Sequence, residues 1–208
     1  MSFSPACIVV AGPSGVGKST LIARALAQLP DWMLSISATT RGMREGEQHG
    51  VNYYFFNHGE FEKAIVNGGF LEFAQVYGNY YGTPVVEEQR AAREGRNMVF
   101  EVDTVGCLSI RAMRPHWPLV AIVPPELEEL RRRLEGRGTE SAESLALRLG
   151  NSVAELQRMR GFDYVIVNDD LERATAQLVE LMSLVGAGLT EVGPTIDSLL
   201  GKAGGTKE

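Results

Sequence analysis

Eight consecutive residues restrict this chain more than any others: Gly12-Pro13-Ser14-Gly15-Val16-Gly17-Lys18-Ser19. An apolar run, Ala6 to Ala11, leads into them. A stretch with Leu21, Ile22, Ala25, Leu26 and Leu29 at helical spacing leads out and stops at Pro30. G-x-x-x-x-G-K-[ST] between a strand and a helix is a phosphate cradle. Its glycines let successive backbone N–H groups face phosphate oxygens, and the helix N-terminus adds the positive end of its dipole. The pattern therefore sets Gly12 to Thr20 around the phosphates of a nucleotide, with Lys18 reaching the β- and γ-phosphates and the Ser19 hydroxyl on Mg²⁺.

The rest of the chain reads as α/β. Met98 to Val102, Leu119 to Val123 and Asp163 to Val167 are further apolar strands, each followed by a helical pattern, the last being Leu171 to Val185. That alternation predicts a parallel sheet flanked by helices, a P-loop NTPase core. Between Ser35 and Thr83 the style changes to short β-rich pieces (Ser35 to Thr40, Tyr53 to Phe56, Phe70 to Val76) and one short helix, Glu60 to Val66. This predicts a small, mostly antiparallel unit inserted in the core. Pro84 is placed in the first turn of the returning helix and Gly95 at its exit. A second, Arg-rich excursion predicts a helical lid. The expected division is a core of 1–34, 84–134 and 149–185, an inserted unit of 35–83, a lid of 135–148 and a Gly-rich tail of 186–208. Within that tail, Ile196 to Leu200 has the pattern of one helical turn.

Composition excludes several functions. With 208 residues and a net charge of −6, the chain is an unsuitable partner for a nucleic-acid backbone. No apolar run approaches the roughly 20 residues that span a bilayer, and the first residues lack the basic segment of a secretory leader. Cys7 and Cys107 predict no disulfide, and His49, His58 and His116 have no ligand-like spacing. A cytoplasmic protein is expected, and monomer and homo-oligomer stay equally open. Lysine stands only at positions 18, 63, 202 and 207, so 16 of the 20 Lys+Arg residues are arginine, the side chain suited to forked contacts with phosphate.

A phosphate cradle gives binding, not a reaction. Asp103-Thr104-Val105-Gly106 fits the D-x-x-G of a regulatory GTPase, but no Asn precedes any lysine, so the N-K-x-D base reader is missing. A binding module that keeps the fold without catalysis is the alternative to a nucleoside-monophosphate kinase. Two excursions flanking a phosphate cradle suit the kinase, since water must be kept from the transferring group. Met98-Val99-Phe100-Glu101-Val102-Asp103 closes on two carboxylates at alternate positions, either of which could act on Mg²⁺ through water or contact the acceptor.

From Ile8 to about Leu184 the chain resembles the guanylate kinases. The resemblance rests on GPSGVGKST (Gly12 to Thr20), SATTRGMREGEQHG (Ser37 to Gly50), FLEFAQVYGNYYGT (Phe70 to Thr83), EVDTVG (Glu101 to Gly106), RLEGRGT (Arg133 to Thr139) and FDYVIVNDD (Phe162 to Asp170). It implies transfer of the γ-phosphoryl group of ATP to GMP, and to dGMP, with Mg²⁺; its alternative is a non-catalytic guanylate-kinase-like binding module. By similarity Ser37, Arg41, Arg44, Tyr53 and Tyr81 hold the GMP phosphate, with Arg41 also catalytic. Glu72, Thr83, Glu101 and Asp103 complete the GMP site, Glu72 reading guanine. Lys18 and the lid arginines Arg133, Arg137 and Arg148 stabilise the moving phosphoryl group, and Asn168 lies by the adenine of ATP. The chain departs from the family at Met43, where proline is usual, and at Glu101, where aspartate is usual. Residue chemistry supports the guanine reading independently: a carboxylate accepts from guanine N1–H and N2–H₂ together, and adenine has no such pair of donors.

Overall fold

The computed structural model describes residues 3–135 and 142–189. Arg137, the turn expected at Ile196 to Leu200, and most of the tail lie outside them.

Five parallel strands form the core sheet in the order β2-β7-β1-β8-β9: β1 is Cys7–Ala11, β2 Trp32–Leu34, β7 Asn97–Glu101, β8 Leu119–Val123 and β9 Tyr164–Val167. Helices cover both faces, which is why these strands read as unbroken apolar runs. Alternate residues of β1 separate into two cores. Ile8 and Val10 pack with Leu21, Ile22 and Ala25 of α1 (Lys18–Gln28) and Leu178 of α7 (Leu171–Gly186), whereas Cys7, Val9 and Ala11 pack with Cys107 and Ile110 of α4 (Thr104–Met113). The cradle follows the central strand, at the carboxyl edge of the sheet where open α/β folds bind ligands.

The inserted strands make a second sheet, β4-β3-β6-β5, from β3 (Ala38–Thr39), β4 (Tyr54–Phe55), β5 (Phe70–Val76) and β6 (Asn79–Pro84). It is mixed: β6 pairs antiparallel with β3 and β5, while β3 and β4 run parallel. The β5–β6 turn uses Tyr77 and Gly78, both at positive φ (49° and 81°), the two-residue geometry that matches strand twist. One helix, α2 (His58–Val66), covers this sheet and starts two residues before the expected Glu60. Asn57 accepts from the Glu60 amide while the Glu60 side chain accepts from the Asn57 amide, a complete capping box. Phe61 is fully buried there, stacked on Phe70 at 4.3 Å and Tyr80 at 5.1 Å between ring centroids.

One expectation needs correction. Pro84 does not open the returning helix: it is the last residue of β6, past the end of the β3 pairing at Gly82, and α3 runs Val86–Glu94. Gly95 does end α3, in the left-handed region at φ 65°. The strands β2 and β6 were not foreseen. Beyond β8, α5 (Leu127–Glu135) and α6 (Ala142–Arg158) flank the cradle, and α6 continues as one helix through residue 148.

Replacing Phe61 by Ala removes the ring that joins α2 to the second sheet. Urea denaturation of Phe61→Ala should show a loss of about 3–5 kcal/mol, the range for deleting a fully buried aromatic side chain.

Candidate active site

The cradle is shaped by what it passes over. A Cβ on Gly12 would lie 2.3 Å from the Ile122 carbonyl oxygen of β8, so only glycine lets the loop cross there. Gly17 has φ 96°, and a Cβ on it would lie 2.6 Å from Asn168 Nδ2. Lys18 Nζ curls back to donate to the Gly12 carbonyl at 2.5 Å and that of Pro13 at 3.4 Å. Burial lowers its proton affinity, and the nearby carboxylates of Glu101, Glu155 and Asp103 act in the opposite direction.

Parallel pairing sets Glu101 opposite Val10, two residues before Gly12, and so brings its carboxylate to the cradle. Ser19 Oγ donates to Glu101 Oε1 at 2.9 Å. Asp103, two residues on, caps α4 by accepting from the Gly106 amide at 2.6 Å. Alternate spacing turns both acids toward one cleft.

That cleft has two adjoining parts, which share Ser37, Tyr53, Glu101 and Asp103. A space of about 540 Å³ is bordered by Gly12, Lys18 and Ser19 on the core side, by Ser37, Asn52 and Tyr53 on the inserted side, and by Glu101, Asp103 and Glu155. A second space of about 280 Å³ continues between Ser37, Tyr53, Tyr81, Glu101 and Asp103 to Glu72. Opposite strands β5 and β6 bring Thr83 beside Glu72, and its hydroxyl donates to Glu72 Oε1 at 2.6 Å. Burial raises the Glu72 proton affinity; Thr83 opposes that shift and the Asp103 charge adds to it. The other oxygen faces Gly106, where a Cβ would come within 3.0 Å of it.

Arg41 stands at the same wall, its guanidinium 5.4 Å from the centre of the Tyr53 ring. Its two terminal nitrogens, Nη1 and Nη2, are engaged by Glu47, at 2.9 and 2.8 Å, and the Arg44 amide also donates to Glu47, at 2.8 Å. These donors, Arg41 above all, hold the Glu47 carboxyl down at about 2. The Arg44 side chain is exposed.

On the ATP side, Asn168 is buried and its side-chain amide donates to the Val16 carbonyl at 2.7 Å. Arg133, expected among the lid residues, sits on α5 and grips the cradle from outside. It donates to the Val16 carbonyl at 3.3 Å, the Asn168 carbonyl at 2.9 Å and Glu129 at 2.8 Å. Arg148 is on the exposed side of α6, and its carbonyl accepts from Ser152 at 2.8 Å.

Sequence reasoning missed Glu47, Asn52 and Glu155. Glu47 looks like a solvated loop acid; its only signal is its place in the same short loop as two arginines. Glu155 follows Arg148 by seven residues, two helical turns, which sets both on one side of α6. Burial raises its proton affinity, and Lys18 counteracts this.

Known proteins resemble this chain over most of its length. The guanylate kinase family model matches residues 4–184. A guanylate kinase of Symbiobacterium thermophilum is 43% identical, over 97% of this chain and 96% of its own. One from Synechocystis sp. is 46% identical, over 84% of this chain and 92% of its own. The crystal structure of guanylate kinase from Anaplasma phagocytophilum superposes with a TM-score of 0.67 at 30% identity, covering 89% of each chain. With a matching family model over most of its length, a matching solved fold and an intact phosphate cradle, this chain belongs to the guanylate kinase family.

Proposed function

We propose that the chain transfers the γ-phosphoryl group of ATP to GMP, giving ADP and GDP, with dGMP as a second acceptor. One observation carries this reading: the space beside Lys18 and Ser19 and the space that reaches Glu72 share Ser37, Tyr53, Glu101 and Asp103 as a common border. A triphosphate in the cradle and a nucleotide phosphate at Tyr53 would then meet in a single cleft.

Positioning and charge do the chemistry in this scheme, with no covalent enzyme intermediate. The acceptor is a phosphate already ionised at neutral pH, so no general base is needed. Lys18 gives up its bonds to its own loop carbonyls and neutralises the equatorial oxygens, and the loop amides hold the β-phosphate. Arg41, over Tyr53, presents a planar fork to the acceptor phosphate, and Ser37, Arg44 and Tyr81 complete its cage. Arg137 and Arg148 are the further arginines assigned to the transferring group, and the unit 35–83 carries GMP. Arg133 serves by holding the Val16 carbonyl, and Asn168 shapes the same rim beside the adenine.

Mg²⁺ fits this arrangement. The Ser19 hydroxyl and Glu101 carboxylate are adjacent hard oxygens at the cradle mouth, and Asp103 borders the same space. Mg²⁺ takes few protein ligands and completes its shell with water and phosphate. When bound, it would neutralise charge between the β- and γ-phosphates. Among the described residues no helix is long and apolar enough to cross a membrane. Two buried free thiols, Cys7 and Cys107, suit a reducing cytoplasm. A purely binding role would use the same Lys18, Ser19 and Glu101 set, and turnover separates the two.

Lys18→Ala should lower kcat by about 100-fold, the effect of losing one preorganised donor to the transition state. A coupled assay of GMP-dependent ADP release measures it, and near-normal turnover would overturn phosphoryl transfer. Glu47→Gln frees the Arg41 fork from its anchored geometry. It should raise KM for GMP by about 10-fold with KM for ATP little changed. If KM for GMP fell instead, Glu47 would be a competitor of the acceptor phosphate. Glu72→Gln should reduce GMP use and narrow the GMP:AMP ratio of kcat/KM by about 100-fold or more, because the unmatched edge no longer faces a charge. An unchanged ratio would remove Glu72 as the guanine reader.

A further inference from the structure

The chain crosses between its two sheets twice, outward through residues 35–37 and back through Val85. At that junction lies a carboxylate with no part in the chemistry above. Glu87, in the first turn of α3, is completely buried. A buried carboxylate is costly unless it is paired and fully hydrogen-bonded. Glu87 Oε2 accepts from the Ile36 amide at 2.6 Å and from Arg90 Nη2 at 2.6 Å; Oε1 accepts from the Tyr54 hydroxyl at 2.8 Å and Arg90 Nε at 3.0 Å. Arg90 spends another donor on the Leu34 carbonyl, at 3.0 Å, the last residue of β2.

Arg90 alone, three residues along the same helix, would satisfy the charge. The extra partners come from elsewhere: Ile36 from the outward crossing, Tyr54 from β4 of the inserted sheet, Leu34 from the core. Their neighbours in sequence are informative. Ser37 follows Ile36 and Tyr53 precedes Tyr54, and both Ser37 and Tyr53 border the cleft. Successive residues of an extended chain face opposite ways. Glu87 therefore holds from behind the two segments whose next residues face the acceptor. Those segments are also bonded to each other, Tyr54 amide to Ser37 carbonyl at 2.8 Å.

We infer that Glu87, with Arg90 and Tyr54, is a positioning clamp for the acceptor site, fixing Ser37 and Tyr53 relative to the core that carries the donor. The role touches neither substrate, and it rests on the reading of the cleft given above. The clamp sets the separation of the two phosphates through the roots of the inserted unit.

The test uses Tyr54→Phe, which deletes one hydroxyl from a half-buried ring, and Glu87→Gln, which keeps the shape and removes the charge. In both, KM for GMP should rise, by about 5-fold in the first and more in the second, with KM for ATP within about 2-fold of wild type. Exchange of the Ile36 amide, followed by mass spectrometry without any nucleotide, should be faster in Glu87→Gln than in wild type. Equal losses in both KM values together with a lowered Tm would make the cluster merely stabilising and overturn the inference, as would an unchanged KM for GMP in Tyr54→Phe. Wild-type protein that failed to use GMP would defeat the proposed reaction instead. The clamp would then stand or fall on the Ile36 exchange alone.

Discussion

The phosphate loop crosses the backbone of β8 so closely that residue 12 has no room for a side chain, and much of the site follows from that crossing. Because β1 is the central strand, the loop emerges with β7 on one side and β8 on the other. Its outer rim, the Val16 carbonyl, is then seized from two directions, by Asn168 beyond β9 and by Arg133 on α5. Two donors from two remote segments thereby hold the rim of the loop. A loop held only by its ends would have to be ordered by the nucleotide, at the expense of affinity.

Charge is arranged with comparable economy. Each principal cation of the cleft already has an internal partner: Lys18 the loop carbonyls, Arg41 the Glu47 carboxylate. Substrate phosphates would take over Lys18 from its loop carbonyls, while Glu47 keeps the Arg41 guanidinium in place, so little reorganisation is needed. The acids at the cleft are handled differently. Glu101 is steadied by Ser19, Asp103 by a helix N-terminus, and Glu72 by Thr83, each keeping one oxygen for another contact. Burial works against the charged form of Glu72, which sharpens its demand for a matching pair of donors.

How far the sequence could be read depended on how each element is stabilised. β1, β8, β9 and α7 were legible because burial on both faces or on one stripe writes itself into composition and period. The Phe70 to Val76 strand was legible because it is bounded by glycines. β2, only three residues long, and β6, with Gly82 and Pro84 inside it, carry no such signature; pairing with a neighbour makes them strands, not their own propensity. Pro84 was misplaced for the same reason, since proline suits a strand end as well as a helix start. Among cleft residues, Lys18, Ser19 and the Glu101–Asp103 pair stood out by spacing along one segment. Glu47, Glu155 and Glu87 did not, because a single acid in a polar stretch looks solvated until its partners are known.

Sequence alone determined the phosphate cradle and the α/β core, since both are local: a glycine pattern between a strand and a helix, and apolar periods within single elements. It also pointed to the family, through motifs whose residues lie close together in the chain. Tertiary structure alone decided where the cradle's rim is anchored, that Arg133 grips that rim, and that Glu47 occupies the Arg41 fork. It alone showed a buried carboxylate joining Ile36, Tyr54 and Arg90, with Arg90 reaching on to the Leu34 carbonyl. These are contacts between segments distant along the chain, or between side chains whose directions the backbone path sets, and no local pattern of residues encodes them.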